Sequence, residues 1–331
     1  MLHPFLPYYH PTTICFVDDN RAYIDSLVAN APSHWSVLTF TSPEKALQVI
    51  NQPQELEPLA ERCFSIDTTH PQRPVVRLHV NALEQEIKSV QRYSRISAVF
   101  IDYAMPTMDG LEFCAQIADE SIRRGLLTGV ADEKAAVAAF NKGLINRYIP
   151  KQDIESIEQI TPHVQRMQRD YFAKLTERLS SSLSLHPPAI LAEPELRTVF
   201  DEIVRKQKVV EYYLAYDPDG YLMMRADGTL LRLVIIDAAQ LGEQVGLAER
   251  YAAPGRLLRR LHKGKSILYL YDHPRDYLGH ERYPWEEVTL RAKRIDAQNT
   301  WYLGIAENPP ADIDFDPAQC SYNHYLASQQ P

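Results

Sequence analysis

The chain has 331 residues, 45% apolar and 24% charged, an ordinary balance for a globular protein long enough for two domains. Its 43 acidic residues outnumber its 35 basic ones, and the formal charge of −8 argues against nonspecific binding to nucleic acid. No apolar run approaches the roughly 18 residues that span a bilayer, and the N-terminus MLHPFLPYYHPTT lacks the basic region that opens a secretory signal. Cys15, Cys63, Cys114 and Cys320 are scattered without metal-ligand or CxxC spacing, so a reduced, cytoplasmic protein is expected.

Thr13 to Val17 reads as an apolar strand that ends in Asp18-Asp19-Asn20. Arg21 to Asn30 reads as a helix with Ala22, Ile24, Leu27 and Val28 on its apolar face. Trp35 to Phe40 is a second strand. Ser42-Pro43-Glu44 then starts a helix, with Ser42 as N-cap and proline at the first helical position. Asn51 to Arg95 contains Pro53, Pro58, Pro71 and Pro74 and is not one continuous helix. Leu56 to Phe64 suits a short helical turn, and Ser65 to Pro74 an exposed loop. Val80, Leu83, Ile87 and Val90 mark one helical stripe. The segment reads as an insertion over about residues 52–95, serving as a decorated surface loop or as a partner-binding or dimerisation surface.

The apolar run Ala98-Val99-Phe100-Ile101 ends in Asp102 and is followed by Tyr-Ala-Met-Pro and Asp109-Gly110. This is a buried strand whose last residue sits at the carboxyl edge, where open α/β sheets place their chemistry. A carboxylate there caps the next helix, pairs with a cation, or acts on a phosphoryl group. Leu111 to Asp119 reads as a helix, and Gly125 to Gly129 as a short strand carrying Thr128 near its end. Asp132 to Lys142 is a helix closed by Gly143, and Ile145 to Ile149 a fifth strand followed by Pro150-Lys151. Alternating strands and helices predict a parallel sheet with helices on both faces.

Four strand ends therefore carry polar groups: Asp18 and Asp19, Asp102, Thr128, and Lys151. In a parallel sheet these ends share one edge. Three carboxylates in one pocket repel each other and favour a divalent cation, and oxygen-only ligands suit Mg²⁺. A lysine and a hydroxyl facing that site suit phosphoryl oxygens. Phosphoryl transfer needs mainly positioning and charge neutralisation, and Asp102 is the candidate nucleophile.

Residues 13 to 151 resemble a response-regulator receiver domain of two-component signalling. The resemblance rests on FVDDN, FIDYAMPTMDGLEF, LLTG and YIPK, which occur in the family's order. It implies a flavodoxin-like (βα)5 fold with an insertion before the third strand. It implies Asp102 as phosphoacceptor, and Asp18, Asp19, Asp102 and the backbone carbonyl of Ala104 as ligands of Mg²⁺. Thr128 would be the switch hydroxyl, Lys151 the phosphate contact, and Tyr148 the rotating aromatic. Met105-Pro106 and Gly110 match the loop that shapes the pocket. The implied partner is a sensor histidine kinase or phosphotransfer protein. The implied chemistry is self-phosphorylation and autodephosphorylation, with no further enzyme activity assigned.

Gln152 to about Leu185 reads as largely helical, with a stripe of Val164, Met167, Tyr171, Leu175, Leu179 and Leu183. It packs against a second domain or pairs in a homodimer. Ser180-Ser181-Ser182 and Pro187-Pro188 mark a boundary. The expected organisation is a receiver over 1–152, a helical connector over 153–188, and an α+β output or interaction domain over 189–331. In that last part Glu195 to Lys208 reads as a helix. Val209 to Tyr216, Tyr221 to Arg225 and Thr229 to Ile236 read as strands joined by hairpin turns. Ala238 to Arg250 and Arg256 to His262 are further helices, and Ser266 to Tyr271 and Thr300 to Ala306 further strands. An antiparallel sheet with helices on one face is expected.

Three features of this part have bland readings. Arg256, Arg259, Arg260, His262, Lys263 and Lys265 suit a solvated helix face, or a patch for a nucleotide, nucleic acid or acidic partner. Asp272, His273, Asp276, His280 and Glu281 lack a recognisable metal-ligand spacing. Tyr212, Tyr213, Tyr216, Tyr221, Tyr269 and Tyr271 alternate on strands, which suits sheet-face packing with hydroxyls reaching water. The output is expected to bind protein or ligand. An enzymatic output is the alternative, although no familiar cyclase or phosphodiesterase signature is present. A DNA-binding output is another, although the helix carrying Arg205, Lys206 and Lys208 leads straight into strands.

Overall fold

The computed structural model describes residues 6–52, 59, 62, 64–67, 75–78, 85–129, 133–151, 157–177, 193–215, 219–270, 283–309 and 316–329. In chain order the first elements are β1 (Tyr8–Tyr9), β2 (Thr13–Val17), α1 (Arg21–Ala29), β3 (Ser36–Phe40), α2 (Pro43–Ile50), β4 (Phe64–Asp67) and β5 (Val75–Leu78). Then come β6 (Ile96–Asp102), α3 (Gly110–Ala115), β7 (Arg123–Thr128), α4 (Glu133–Asn141), β8 (Arg147–Pro150) and α5 (Ile157–Leu175). The remainder holds α6 (Pro194–Lys206), β9 (Val209–Ala215), β10 (Gly220–Arg225), β11 (Leu230–Asp237), α7 (Ala238–Arg250) and α8 (Gly255–His262). It ends with β12 (Ser266–Leu268), β13 (Thr289–Arg291), β14 (Lys293–Asp296), β15 (Thr300–Glu307), α9 (Pro317–Cys320) and α10 (Tyr322–Ser328). These elements form two compact units, one built around a parallel sheet and one around an antiparallel sheet.

The parallel sheet has the order β3-β2-β6-β7-β8, as expected for a flavodoxin-like receiver. Every residue of β2 and β6 is buried, which is why both read as unbroken apolar runs rather than alternating ones. The register aligns the carboxyl ends: Val17 pairs with Ile101, Asp102 with Leu127, and Thr128 with Pro150. On one face Ile160, Val164 and Met167 of α5 pack with Phe100 and Leu127 of the sheet. The first part of the expected connector stripe thus belongs to the core of this unit, while Leu179 and Leu183 lie outside the described residues.

Local departures have local causes. On α1, Ile24 and Leu27 are buried but Val28 is 41% exposed, one residue past the buried arc. Helix α3 stops at Gln116 rather than Asp119. The Asn51 side chain takes over there, donating to Gln116 O at 2.8 Å and accepting from Ala118 N at 2.9 Å. Within the insertion, Phe64–Asp67 and Val75–Leu78 pair as two short strands where part of a loop was expected. Their β-branched and aromatic content suits that state. Residues 85–88 are helical, and Ile87 is fully buried; Val80 and Leu83 lie outside the described residues, as do the Ser180-Ser181-Ser182 and Pro187-Pro188 boundary signals.

The antiparallel sheet has the order β1-β9-β10-β11-β15-β14. Helices cover both of its faces, not one. Leu196 and Phe200 of α6 pack against Leu231, Leu233 and Ile235. Leu241 of α7 and Leu257 and Leu261 of α8 pack with Val234 and Ile236. The continuous run LLRLVII already carries the reason, since a strand solvated on one face alternates polar residues and β11 does not. Asp237 closes this strand and caps α7 in a capping box with Gln240.

Candidate functional site

The carboxyl edge of the parallel sheet assembles the site. Asp18 follows β2, its backbone N–H tied to Phe40 O at 3.1 Å. Its carboxylate accepts from Asn20 N at 2.9 Å, and the Asn20 side chain in turn caps α1 by accepting from Tyr23 N at 3.1 Å. Asp102 ends β6 and is 6% exposed, against 1% for Asp18, while Asp19 is exposed. Each of the three carboxylates offers an oxygen, and these oxygens lie within 4.8 Å of one another.

Lys151, directly after β8, ties the acids together. Its Nζ is 2.8 Å from Asp18 Oδ2 and 2.9 Å from Asp102 Oδ1. Burial, together with the neighbouring Asp18 charge, raises the Asp102 pKa above the ordinary value, against the hydrogen bond and charge of Lys151 and the Ala104 N–H, which pull the other way. Burial alone would lower the Lys151 pKa, but the hydrogen bonds and charges of Asp18 and Asp102 leave it raised. Three carboxylates and one ammonium leave two uncompensated negative charges in a largely buried pocket. An oxygen-only donor set of that charge fits a hard divalent cation.

The loop after Asp102 is shaped by backbone bonds. Tyr103 N donates to Leu127 O and Gly110 N to Tyr103 O, both at 2.9 Å. Gly110 is required there, because a Cβ would sit 2.5 Å from Asp102 O. Asp109 caps α3, accepting from Leu111 N and Glu112 N, each at 2.8 Å. Thr107 Oγ1 donates to Glu44 Oε1 at 2.7 Å, and Ser42 Oγ to Glu44 Oε2 at 2.6 Å. Those two hydrogen bonds, Ser42 first, hold the Glu44 carboxyl below the usual range. Sequence reading missed this clamp, since Glu44 and Thr107 meet only in the fold.

Thr128 is buried at the end of β7, on the strand beside Asp102. Tyr148 is half-buried on β8, its ring 6.5 Å from Phe140 and nearly perpendicular to it. Tyr23 is a further neighbour, with its ring centroid 5.0 Å from Lys151 Nζ. Its position in the first helical turn after the acidic doublet was the available signal.

The remaining candidates lie elsewhere. Arg256, Arg259, Arg260, His262, Lys263 and Lys265 are exposed around α8 while Leu257 and Leu261 are buried. Asp272, His273, Asp276, His280, Glu281, Tyr216, Tyr271 and Cys63 lie outside the described residues. The tyrosine hydroxyls of the antiparallel sheet do not all reach water. Tyr213 OH donates to the buried Glu211 carboxylate at 2.5 Å, and Tyr221 OH to Leu6 O at 3.4 Å. Among the described residues no helix is long and apolar enough to cross a membrane.

No family model matches the sequence, and no curated protein is similar enough to match it. Solved structures do match. The Legionella pneumophila response regulator LqsR is 31% identical, with a TM-score of 0.77 over 99% of this chain and 98% of that one. A receiver-domain protein from Methanospirillum hungatei JF-1 is 14% identical, covering 50% of this chain and 98% of its own, with a TM-score of 0.34. A receiver domain from Clostridium thermocellum is 16% identical, covering 51% of this chain and 97% of its own, with a TM-score of 0.30. The likeness to LqsR runs through both units, and with the motif-bearing sheet edge it makes this chain a member of the response-regulator family.

Proposed function

We propose that the protein accepts a phosphoryl group on Asp102 from a phosphohistidine of a sensor histidine kinase or phosphotransfer protein. The observation that carries the reading is Lys151 Nζ held at 2.8 and 2.9 Å from Asp18 and Asp102. In the reaction an Asp102 carboxylate oxygen attacks phosphorus as the imidazole nitrogen departs. The O–P bond forms, the N–P bond breaks, and the ring, already protonated on its other nitrogen, takes the electron pair and leaves as neutral imidazole. Asp102 must be ionised to attack, and Lys151 is placed to meet the oxygens of the arriving group. Asp18, Asp19, Asp102 and the carbonyl of Ala104 would hold Mg²⁺. Such an ion, when bound, offsets the charge of the phosphoryl oxygens against the carboxylates.

The same reading gives Thr128 the switch role, its hydroxyl drawn toward the new anion, with Tyr148 turning in response. The surface that would change includes α4, where Val137 is 38% and Phe140 47% exposed. That surface supports a phosphorylation-dependent homodimer, and the antiparallel unit is then the output module, binding protein or ligand. The test is intact mass after incubation with a small phosphodonor and Mg²⁺. One added phosphoryl group is expected, absent in Asp102→Asn and after chelation of the metal. An unmodified wild type would overturn the assignment.

A further inference from the structure

Tyr23 touches the site from a side that the acidic cluster leaves open. The Asn20 cap fixes the Tyr23 backbone at the start of α1. Side chains on a helix lean toward its N-terminus, so from the first turn the ring reaches back toward the strand end that carries Asp18. There it packs beside the cluster of Ile14, Phe16 and Leu27 and faces Lys151 Nζ at 5.0 Å from its centroid. Lys151 is only partly exposed. Its ammonium is therefore bounded by two carboxylates and one aromatic face, an arrangement that restricts where the charge can sit.

We propose that Tyr23 is a positioning residue for phosphoryl acceptance, its ring holding the Lys151 ammonium over Asp102 through a cation–π contact. The proposal rests on the phosphoacceptor reading of Asp102. The ring is the working part, because the hydroxyl is buried without a hydrogen-bond partner among the described residues. A buried unpaired hydroxyl is destabilising, so nothing is lost when it is removed. A cation over a partly desolvated ring gains enough to bias a flexible four-carbon side chain toward one placement. The contact thus acts on the lysine and not on the phosphoryl group itself.

The test uses the full chain with Tyr23→Phe, Tyr23→Leu and Tyr23→Met. Methionine keeps unbranched bulk against the core, and thermal melting verifies that each variant folds. Phosphorylation rates with a small phosphodonor and Mg²⁺ should fall about threefold to thirtyfold in Tyr23→Leu and Tyr23→Met and stay at the wild-type value in Tyr23→Phe. In a Lys151→Ala background, Tyr23→Leu should produce no further fall, which a purely structural effect would still cause. A second readout needs no phosphorylation: acetylation of Lys151 by a small activated ester, read by peptide mass spectrometry. Lys151 should react faster in Tyr23→Leu and Tyr23→Met and not in Tyr23→Phe. Wild-type behaviour of Tyr23→Leu in both assays, or an equal loss in Tyr23→Phe, would overturn the proposal. A wild type that takes no phosphoryl group, yet loses Lys151 protection in Tyr23→Leu, would sink the phosphoacceptor reading and leave the positioning contact standing.

Discussion

His10 is fully buried against the edges of two rings, with centroids 4.8 Å from Phe172 and 6.4 Å from Tyr93. Its Nδ1–H donates to Pro11 O at 2.8 Å. Burial, then the nearby Arg95 charge, pushes its pKa well below the ordinary value of 6.5, and Arg92 adds to this against the Pro11 hydrogen bond. The folded state therefore keeps the imidazole neutral while the unfolded chain takes up a proton below 6.5. Stability from this group is fully present above 6.5 and is lost as pH falls below it, by up to about 1.4 kcal/mol per pH unit. Denaturant melts between pH 7.5 and 5.5 should show that slope, and His10→Asn should flatten it. His163, also lowered by burial and by Arg147, adds a smaller contribution of the same sign. Asp102 behaves oppositely, since its raised pKa means that folding disfavours its ionised form. Metal-free Asp102→Asn should therefore melt higher than the wild type. The acidic doublet, Asp102 and Lys151 were legible as residues because strand ends announce themselves. His10 was not, because its neighbours Tyr9 and Pro11 say nothing of the arginines, Arg92 and Arg95, that face it across the fold.

At the scale of elements, the passage from β6 into α3 sets the geometry of the site. Gly110 opens α3 one close contact away from the backbone of Asp102. An added Cβ would meet Asp102 O at 2.5 Å and Leu126 Cδ1 at 2.7 Å. The leucine can turn aside, but the carbonyl cannot move without moving the carboxylate next to it. Gly110→Ala should therefore cost about 1–3 kcal/mol of stability and also slow phosphorylation, read by melting and by the rate of mass gain. Normal kinetics in a destabilised variant would show that strain is absorbed on the α3 side. Much of this scale was legible. The runs of β2 and β6 announced parallel strands buried on both faces, and Ser42-Pro43 announced α2. What stayed hidden depended on distant partners: the stop of α3 at Gln116 under the Asn51 side chain, the two-residue β1, and the short β13 and β14. Runs of two to four residues carry too little periodicity to distinguish from loops.

At the scale of the molecule, covalent order and membership of the two units part company at both chain ends. β1 is the edge strand of the antiparallel sheet, Tyr8 opposite Tyr213 and Tyr9 opposite Tyr212. Leu214 N donates to Pro7 O at 2.6 Å, and Tyr8 is buried. Tyr325, near the other end, belongs to the parallel unit. Its hydroxyl lies 3.3 Å from both Thr13 Oγ1 and Ser36 Oγ, and its ring 5.5 Å from that of Tyr93. Each end therefore stabilises the unit that is more distant from it in sequence, a feature invisible to any reading that proceeds along the chain. Calorimetry makes the consequence measurable. Deleting residues 1–9 strips a paired strand and a buried aromatic from the antiparallel unit and should lower that unit's transition by several degrees, the scale expected for about 2 kcal/mol. Tyr325→Ala removes an aromatic anchor and a hydroxyl contact from the parallel unit and should lower its transition instead. If both changes lowered the same transition, the assignment of one chain end would be wrong. The transition that moves with Asp102→Asn identifies which of the two belongs to the parallel unit.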